Sequence, residues 1–223
     1  MGNYKESIAI IIPALDPDER MVSLVGQLHD DGFSNIILVD DGSLIANRKY
    51  FKTCKETCHC KIIRHVVNFG KGIALKSAFN YILEQRPDIK GAVTVDCDGQ
   101  HVLTDINTCA KLTYEHPDSL ILGCRQFDDK EIPLRSRFGN KLTRQMIRLL
   151  CGIHVSDTQT GLRGLPTPLI REHFANVKGE RFEYEMNMLS ACAACSENIN
   201  FKVCRINFKL YFVCLGKNCN SNR

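Results

Sequence analysis

Apolar, β-branched runs recur along the chain at residues 8–12, 35–39, 61–66, 91–95 and 119–122, with starts roughly 26–30 residues apart. Between them, Val22, Leu24, Val25 and Leu28 follow helical spacing, as do Ile73, Leu75, Ala78, Phe79 and Ile82. Strands that are apolar throughout and alternate with helices predict βαβ units. The expected fold is therefore α/β, Rossmann-like, with a mostly parallel central sheet and helices on both faces. In open sheets of this kind ligands sit at the carboxyl ends of the strands, and that rule selects the residues to inspect.

The four tips read PALDPDER (13–20), DDGS (40–43), NFGKG (68–72) and DCDGQH (96–101). Each is polar, and three carry glycine where backbone must turn or approach a ligand. Asp96 and Asp98 stand two apart after an extended run, so their carboxylates can reach one ion, and hard divalent cations take such oxygens. Acidic tips converging with Lys71 on one edge would be costly without a cation. No Gly-x-Gly-x-x-Gly follows the first strand and no Walker sequence occurs, which argues against hydride transfer and P-loop chemistry.

Beyond Gly123 the repeat ends. Residues 135–151 have helical spacing, and Arg137, Lys141, Arg144 and Arg148 fall within about 60° on a helical wheel. Such a basic stripe suits an anionic membrane surface or a phosphate. SDTQTGLRG (156–164) is polar and too short for an independent element; Arg163 in it could fork onto a phosphate. A further helix is expected near residues 182–193, burying Phe182, Met186, Leu189 and Ala193, with Glu183 and Glu185 facing solvent. The stretch 201–214 is strand-like. With no linker, repeat or low-complexity tract, one domain over 1–223 is expected.

The 223 residues are 44% hydrophobic and 24% charged, with a formal net charge of +4, ordinary for a globular protein and modest for a nucleic-acid coat. The twelve cysteines follow no signal peptide, so a reducing cytoplasm is expected. Cys97, Cys109, Cys124 and Cys151 sit in apolar elements as small hydrophobes. Cys54, Cys58 and Cys60, with Cys192 and Cys195, lack zinc-finger spacing. No run approaches the roughly 18–20 apolar residues of a membrane span, and Glu6 spoils a myristoylation signal.

Taken in order, IPALDPDE, VDDGS, NFGKG, VDCDGQH, SRFGNKLTR, SDTQTGLRG and RFEYEMN resemble family-2 inverting glycosyltransferases of the GT-A fold. More narrowly, they are similar to the polyprenyl-phosphate sugar transferases related to dolichol-phosphate mannose synthase. The likeness runs from about Ile8 to Leu189, and it implies a nucleotide-binding part to about residue 124 and an acceptor-side part beyond it. It implies that Pro13, Ala14, Leu15, Glu19, Asp40, Asp41, Lys71, Asp96 and Cys97 line a nucleotide pocket. It implies Mg2+ or Mn2+ on Asp96, Asp98 and Gln100. Arg125, Ser136 and Arg137 would bind an acceptor phosphate, with Gln159 and Arg163 shaping the acceptor site. Asp98, Asp157, Arg125 and Arg137 are the expected catalytic residues.

The reading is a metal-dependent transferase. It would move a sugar from a nucleotide donor, taken as UDP-linked, to a polyprenyl phosphate, working as a peripheral protein on the inner face of the cell membrane. Self-association is compatible with it. Two alternatives stay open: a saccharide hydroxyl acceptor, for which Asp157 would be the base, and a catalytically idle nucleotide-sugar-binding protein.

Overall fold

The structure, a computed structural model, describes residues 3–123, 161–174, 177–194, 200–204 and 211–212. Strand β1 (Ile8–Ala14) sits centrally, pairing in parallel with β2 (Ile36–Asp41) on one side and β4 (Gly91–Thr94) on the other. Strand β3 (Lys61–His65) extends β2 in parallel. Beyond β4 lies β6 (Arg163–Pro166), antiparallel to it with Thr94 opposite Arg163. The order is β3-β2-β1-β4-β6. Strand β5 (Ser119–Gly123) runs alongside β6, and the Gly123 N–H donates to the Leu162 carbonyl at 2.8 Å. Strands β7 (Asn200–Cys204) and β8 (Tyr211–Phe212) pair with β5, parallel and antiparallel respectively.

Alternation along β1 divides the core. Ile8, Ile10 and Ile12 point to one face, against Met21, Leu24, Val25 and Leu28 of α2 (Glu19–Asp30), Phe51 of α3 (Arg48–Cys58) and Ile106 of α5 (Leu103–Glu115). A four-residue turn of helix, α1 (Tyr4–Ser7), leads into the strand. Ala9 and Ile11 point to the other face, against Leu75, Ala78, Phe79 and Ile82 of α4 (Lys71–Gln85). The i, i+3, i+4, i+7 spacing in α2 is what buries one stripe, and Asp18 caps its start by accepting the Arg20 N–H at 2.9 Å. Every Cβ alternates in a strand, so a β1 of consecutive isoleucines belongs under two layers of helix.

Three expectations are corrected. Residues 163–166 form a sheet strand where a loop segment was expected, although they carry no apolar run. Glycine serves at position 164 because the strand is hemmed in there: a Cβ on Gly164 would collide with Thr113 Oγ1 of α5 and crowd Ile121 of β5. The short helix α6 (Thr167–Leu169), continued as a π-turn over Ile170–Phe174, then leaves the sheet. The last helix among the described residues, α7 (Glu183–Ala194), begins after Phe182, which is exposed; Tyr184, Met188 and Leu189 form the buried stripe. Finally, β3 is an edge strand that stops at His65, leaving Val66 and Val67 exposed.

Among the described residues, no helix is long and apolar enough to cross a membrane. The expected helix over 135–151 and all of residues 124–160 lie outside the described residues.

Candidate active site

The chain runs outward from β1 to β3, then returns to the opposite side of β1 for β4. The crevice where strand order reverses lies beyond the carboxyl ends of β1 and β4, the usual place for a ligand in an open α/β sheet. A cavity of about 430 Å3 opens there. Pro13, Ala14 and Leu15 wall it from the end of β1, Asp96, Cys97 and Asp98 from the end of β4, and Gly70 and Lys71 from the start of α4. Arg181, Phe182 and Glu185 close it from the segment entering α7.

Lys71 is the hinge of the site's electrostatics. Its ammonium lies 2.7 Å from Asp96 Oδ1 and 3.0 Å from Glu185 Oε2. Burial alone would push the Lys71 pKa down, but the Glu185 and Asp96 carboxylates outweigh it and the pKa is raised. Burial would likewise raise Asp96. The His101 ring, with Nε2 at 3.5 Å from Asp96 Oδ2, and the Lys71 charge instead hold that carboxyl well below the usual range. Asp96 and Lys71 are therefore both ionised at neutral pH.

Backbone geometry sets this pair. Gly70 stands at φ +98°, and a Cβ there would strike the Glu180 carbonyl and Arg181 Cγ, both at 2.7 Å. A Cβ on Gly161 would fall on the Asp96 carboxylate itself. The Thr94 hydroxyl donates to the Gly161 carbonyl at 2.7 Å, tying the end of β4 to the residues that enter β6.

The two carboxylates of the second tip do something else. Asp41 Oδ1 accepts from the Phe69 N–H (3.0 Å) and bonds His65 Nδ1 (2.7 Å), while Oδ2 accepts from the Gly70 N–H (2.7 Å). His65 Nε2 continues to Ser77 Oγ at 2.9 Å. Asp41 thus borders the cavity but spends its lone pairs shaping the NFGKG turn. Asp40 is wholly buried, paired with Arg64 Nε at 2.7 Å and accepting the Ser43 N–H. It lies behind the cavity.

Of the other expected residues, Glu19 is exposed in the first turn of α2 and does not line the cavity. Gln100 is exposed, its N–H donating to Asp98 Oδ1 at 3.1 Å. Arg163 is buried rather than presented on a surface loop; its Nη1 donates to the Glu185 carbonyl at 2.6 Å. Arg125, Ser136, Arg137, Asp157 and Gln159 lie outside the described residues. Glu185, expected in solvent, is buried on the cavity wall. The only hint of this in the sequence was its place in the RFEYEMN stretch, and His101 was similarly part of DCDGQH without a role of its own.

The donor set suits a divalent cation. Asp41, Asp96, Asp98 and Glu185 border the cavity against the two bases Lys71 and Arg181. Glu185 Oε1 is buried without a hydrogen bond, and Arg163 Nε stands 3.7 Å away. An anion entering this excess of negative charge is repelled unless a cation comes with it. Among the described residues no three His, Cys, Asp or Glu side chains converge as a ready cage. Asp96 and Asp98, two residues apart after β4, would supply two oxygen ligands to such an ion, with the remainder left to an incoming anion, as is common for Mg2+.

Residues 10–174 match the family model described as glycosyl transferase family 2. The chain belongs to glycosyl transferase family 2. It is a glycosyltransferase of the GT-A fold. The uncharacterised protein MJ1222 of Methanocaldococcus jannaschii is 30% identical over 182 residues, covering 80% of this chain and 72% of that protein. A UDP-N-acetylglucosamine–dolichyl-phosphate N-acetylglucosaminyltransferase of Methanococcus voltae is 30% identical over 192 residues, covering 79% and 76%. Among solved structures, this glycosyltransferase superposes on glucosyl-3-phosphoglycerate synthase of Mycobacterium tuberculosis in complex with Mn2+, UDP-glucose and phosphoglyceric acid. That match has a TM-score of 0.61 at 16% identity and covers 85% of this chain and 66% of that one.

Proposed function

We propose that this glycosyltransferase moves a sugar, with inversion, from a UDP-linked donor to a polyprenyl phosphate at the cytoplasmic face of the membrane. The observation that carries the donor half is the meeting of Asp96, Asp98 and Lys71 at the strand-order switch. The acceptor half is supported by the Methanococcus voltae relative, whose name gives dolichyl phosphate as acceptor. We read the chain as one domain, its donor part ending near residue 124.

Pro13, Ala14 and Leu15 would face the base and ribose, and Asp41 would hold the NFGKG turn that borders them. Asp96 and Asp98 would hold Mg2+ or Mn2+. Such an ion, when bound, stabilises negative charge developing on the departing diphosphate. Lys71 keeps Asp96 ionised and aimed into the cavity. An oxygen of the lipid phosphate attacks the anomeric carbon as the bond to the β-phosphate oxygen breaks, and the freed electron pair stays on the diphosphate. The nucleophile is already ionised, so no general base is required. Arg125 and Arg137, assigned by resemblance, would offset its repulsion from the donor.

Transfer of label from UDP-N-acetylglucosamine and UDP-glucose to a polyprenyl phosphate, with Mn2+ present, tests this reading. Labelled lipid that disappears with Arg137→Ala, while donor hydrolysis persists, is the expected result. Donor binding in calorimetry with no transfer to any lipid phosphate would instead favour the hydroxyl acceptor or the idle binder. No donor binding, with or without Mn2+, would refute the proposal altogether.

A further inference from the structure

The β3 edge of the sheet carries a surface that donor binding leaves unused. Residues 44–67 hold six bases (Arg48, Lys49, Lys52, Lys55, Lys61 and Arg64) against one acid, Glu56. The formal net charge of the whole chain is only +4, so this one segment carries all of the excess. Five of the six line a groove of about 500 Å3 between α3 and β3. Arg64 is matched by Asp40, and Lys52 lies 3.7 Å from Glu56. Arg48 donates to the Ser43 carbonyl and Lys49 lies over the Tyr50 ring, contacts that leave both charges uncompensated.

Aliphatic tips stand directly beside this groove. Ile45, three residues before Arg48, is 81% exposed, and Val66, two residues after Arg64, is 88% exposed; Leu44 and Val67 flank them in the open. The two turns are packed together, since a Cβ on Gly42 would land on the Val67 backbone. They are also held in place. Asp16, at φ +49°, accepts from the Leu44 N–H (2.8 Å) and the Asn47 side-chain amide (3.0 Å), and its own N–H donates to Ser43 Oγ (2.9 Å). The fold thus fixes apolar side chains outward, where water disfavours them.

Apolar tips rimmed by cations match one kind of partner. The headgroup layer of an anionic bilayer offers charge to the bases and an acyl boundary to the aliphatics. A nucleic acid would offer phosphates but nothing for Ile45 and Val66 to enter. We propose that this surface docks the protein on an anionic lipid bilayer. The cavity mouth is beside it, for Asn68 follows Val67 and lines the cavity. Docking here sets the donor pocket close to the membrane plane, and in that respect the inference rests on the reading of a lipid-borne acceptor.

Co-sedimentation of the full chain with vesicles free of polyprenyl phosphate tests it. One set is phosphatidylcholine alone and the other an equal mixture with phosphatidylglycerol. Binding to the mixed vesicles should fall as salt rises. It should fall about tenfold or more in Ile45→Ser/Val66→Ser and in Lys49→Glu/Lys55→Glu, all exposed positions that do not line the cavity. Both variants should keep wild-type transfer to a short-chain polyprenyl phosphate in detergent. Equal binding to the two vesicle types, or variants that bind like wild type, overturns the proposal. So does a wild-type oligomer that the variants dissociate without any change in vesicle binding. A wrong acceptor assignment shows in the detergent assay alone, whereas a wrong docking surface shows in the vesicles alone.

Discussion

The Lys71 ammonium sits 2.7 Å from Asp96, within a wall of the cavity where both groups are largely out of water. Glu185 approaches the same ammonium at 3.0 Å, so the cation separates two carboxylates. Removing one member of such a set costs far more than the set contributes, because the remaining charges lose their partner. Lys71→Met should destabilise the fold by about 3 kcal/mol. A thermal melt should register roughly 6–12 °C for a chain of this size. Transfer should fall at least as steeply as stability, and Lys71→Arg should recover part of both.

The same pair fixes the acid limb of stability. The folded-state pKa of Asp96 lies below its unfolded value of about 3.9, so its contribution is fully present above that value and is lost as pH falls toward the folded pKa. Lys71 is raised, so its share persists below about pH 10.4 and is lost only as pH rises through the folded value. Melting curves between pH 2 and 6 should therefore fall more steeply for wild type than for Asp96→Asn. Parallel curves would remove Asp96 from the account.

On the proposed reading, Asp98 would separate cation binding from folding. It is partly exposed, and its carboxylate accepts one N–H, from Gln100. Asp98→Asn should leave the melting temperature within roughly 2 °C, since a surface substitution of this kind costs about 0.5 kcal/mol at most. Donor affinity measured by calorimetry with Mn2+ should drop about tenfold or more, a change of about 1.4 kcal/mol. Without metal, wild type and variant should bind donor equally weakly.

A methyl group can be used as a wedge. Gly161→Ala drives a Cβ into the Asp96 carboxylate and should cost donor binding in Mn2+ about tenfold, with the sheet retained by circular dichroism. Gly26 in α2 is the control, because a methyl group added there would meet nothing within 4 Å. Gly26→Ala should stabilise by about 0.5–1 kcal/mol through helix propensity, with donor binding unchanged.

Thiol chemistry reports on the α3 layer. Cys54 and Cys60 are free and buried, and burial pushes their thiols up to about 11 and about 12. Thiolate is the reactive form, so at pH 8 neither should react with a disulfide reagent until the chain unfolds. Prompt labelling of either in the native protein would show that the layer opens locally.

The first four strands of the fold were legible because their signal is local. Ile8 to Ile12 is apolar at every position, which only a strand covered on both faces tolerates, and the polar tips of β1, β2 and β4 followed directly. What was hidden depends on contacts distant in sequence. Residues 163–166 became a strand through the space between β4 and β5, which excludes bulk at Gly164, and no periodicity marks that. Glu185 looked like an ordinary helix-surface acid until Lys71, more than a hundred residues earlier, gave it a partner. Asp40 and Asp41 showed the reverse: two adjacent carboxylates invited a shared ligand role, but strand alternation sent them to opposite faces, one to Arg64 and the other to the NFGKG turn.

Because β6 enters the sheet from late in the chain, the pocket is assembled out of step with synthesis. A growing chain can complete β1 to β4 on emerging from the ribosome, yet the Gly161 carbonyl that anchors Thr94 and the Glu185 carboxylate that holds Lys71 arrive afterwards. Until then Lys71 has Asp96 but not Glu185, and the crevice lacks one wall. The described residues from Gly161 to Glu185 are therefore what turn a four-stranded parallel sheet into a shaped pocket.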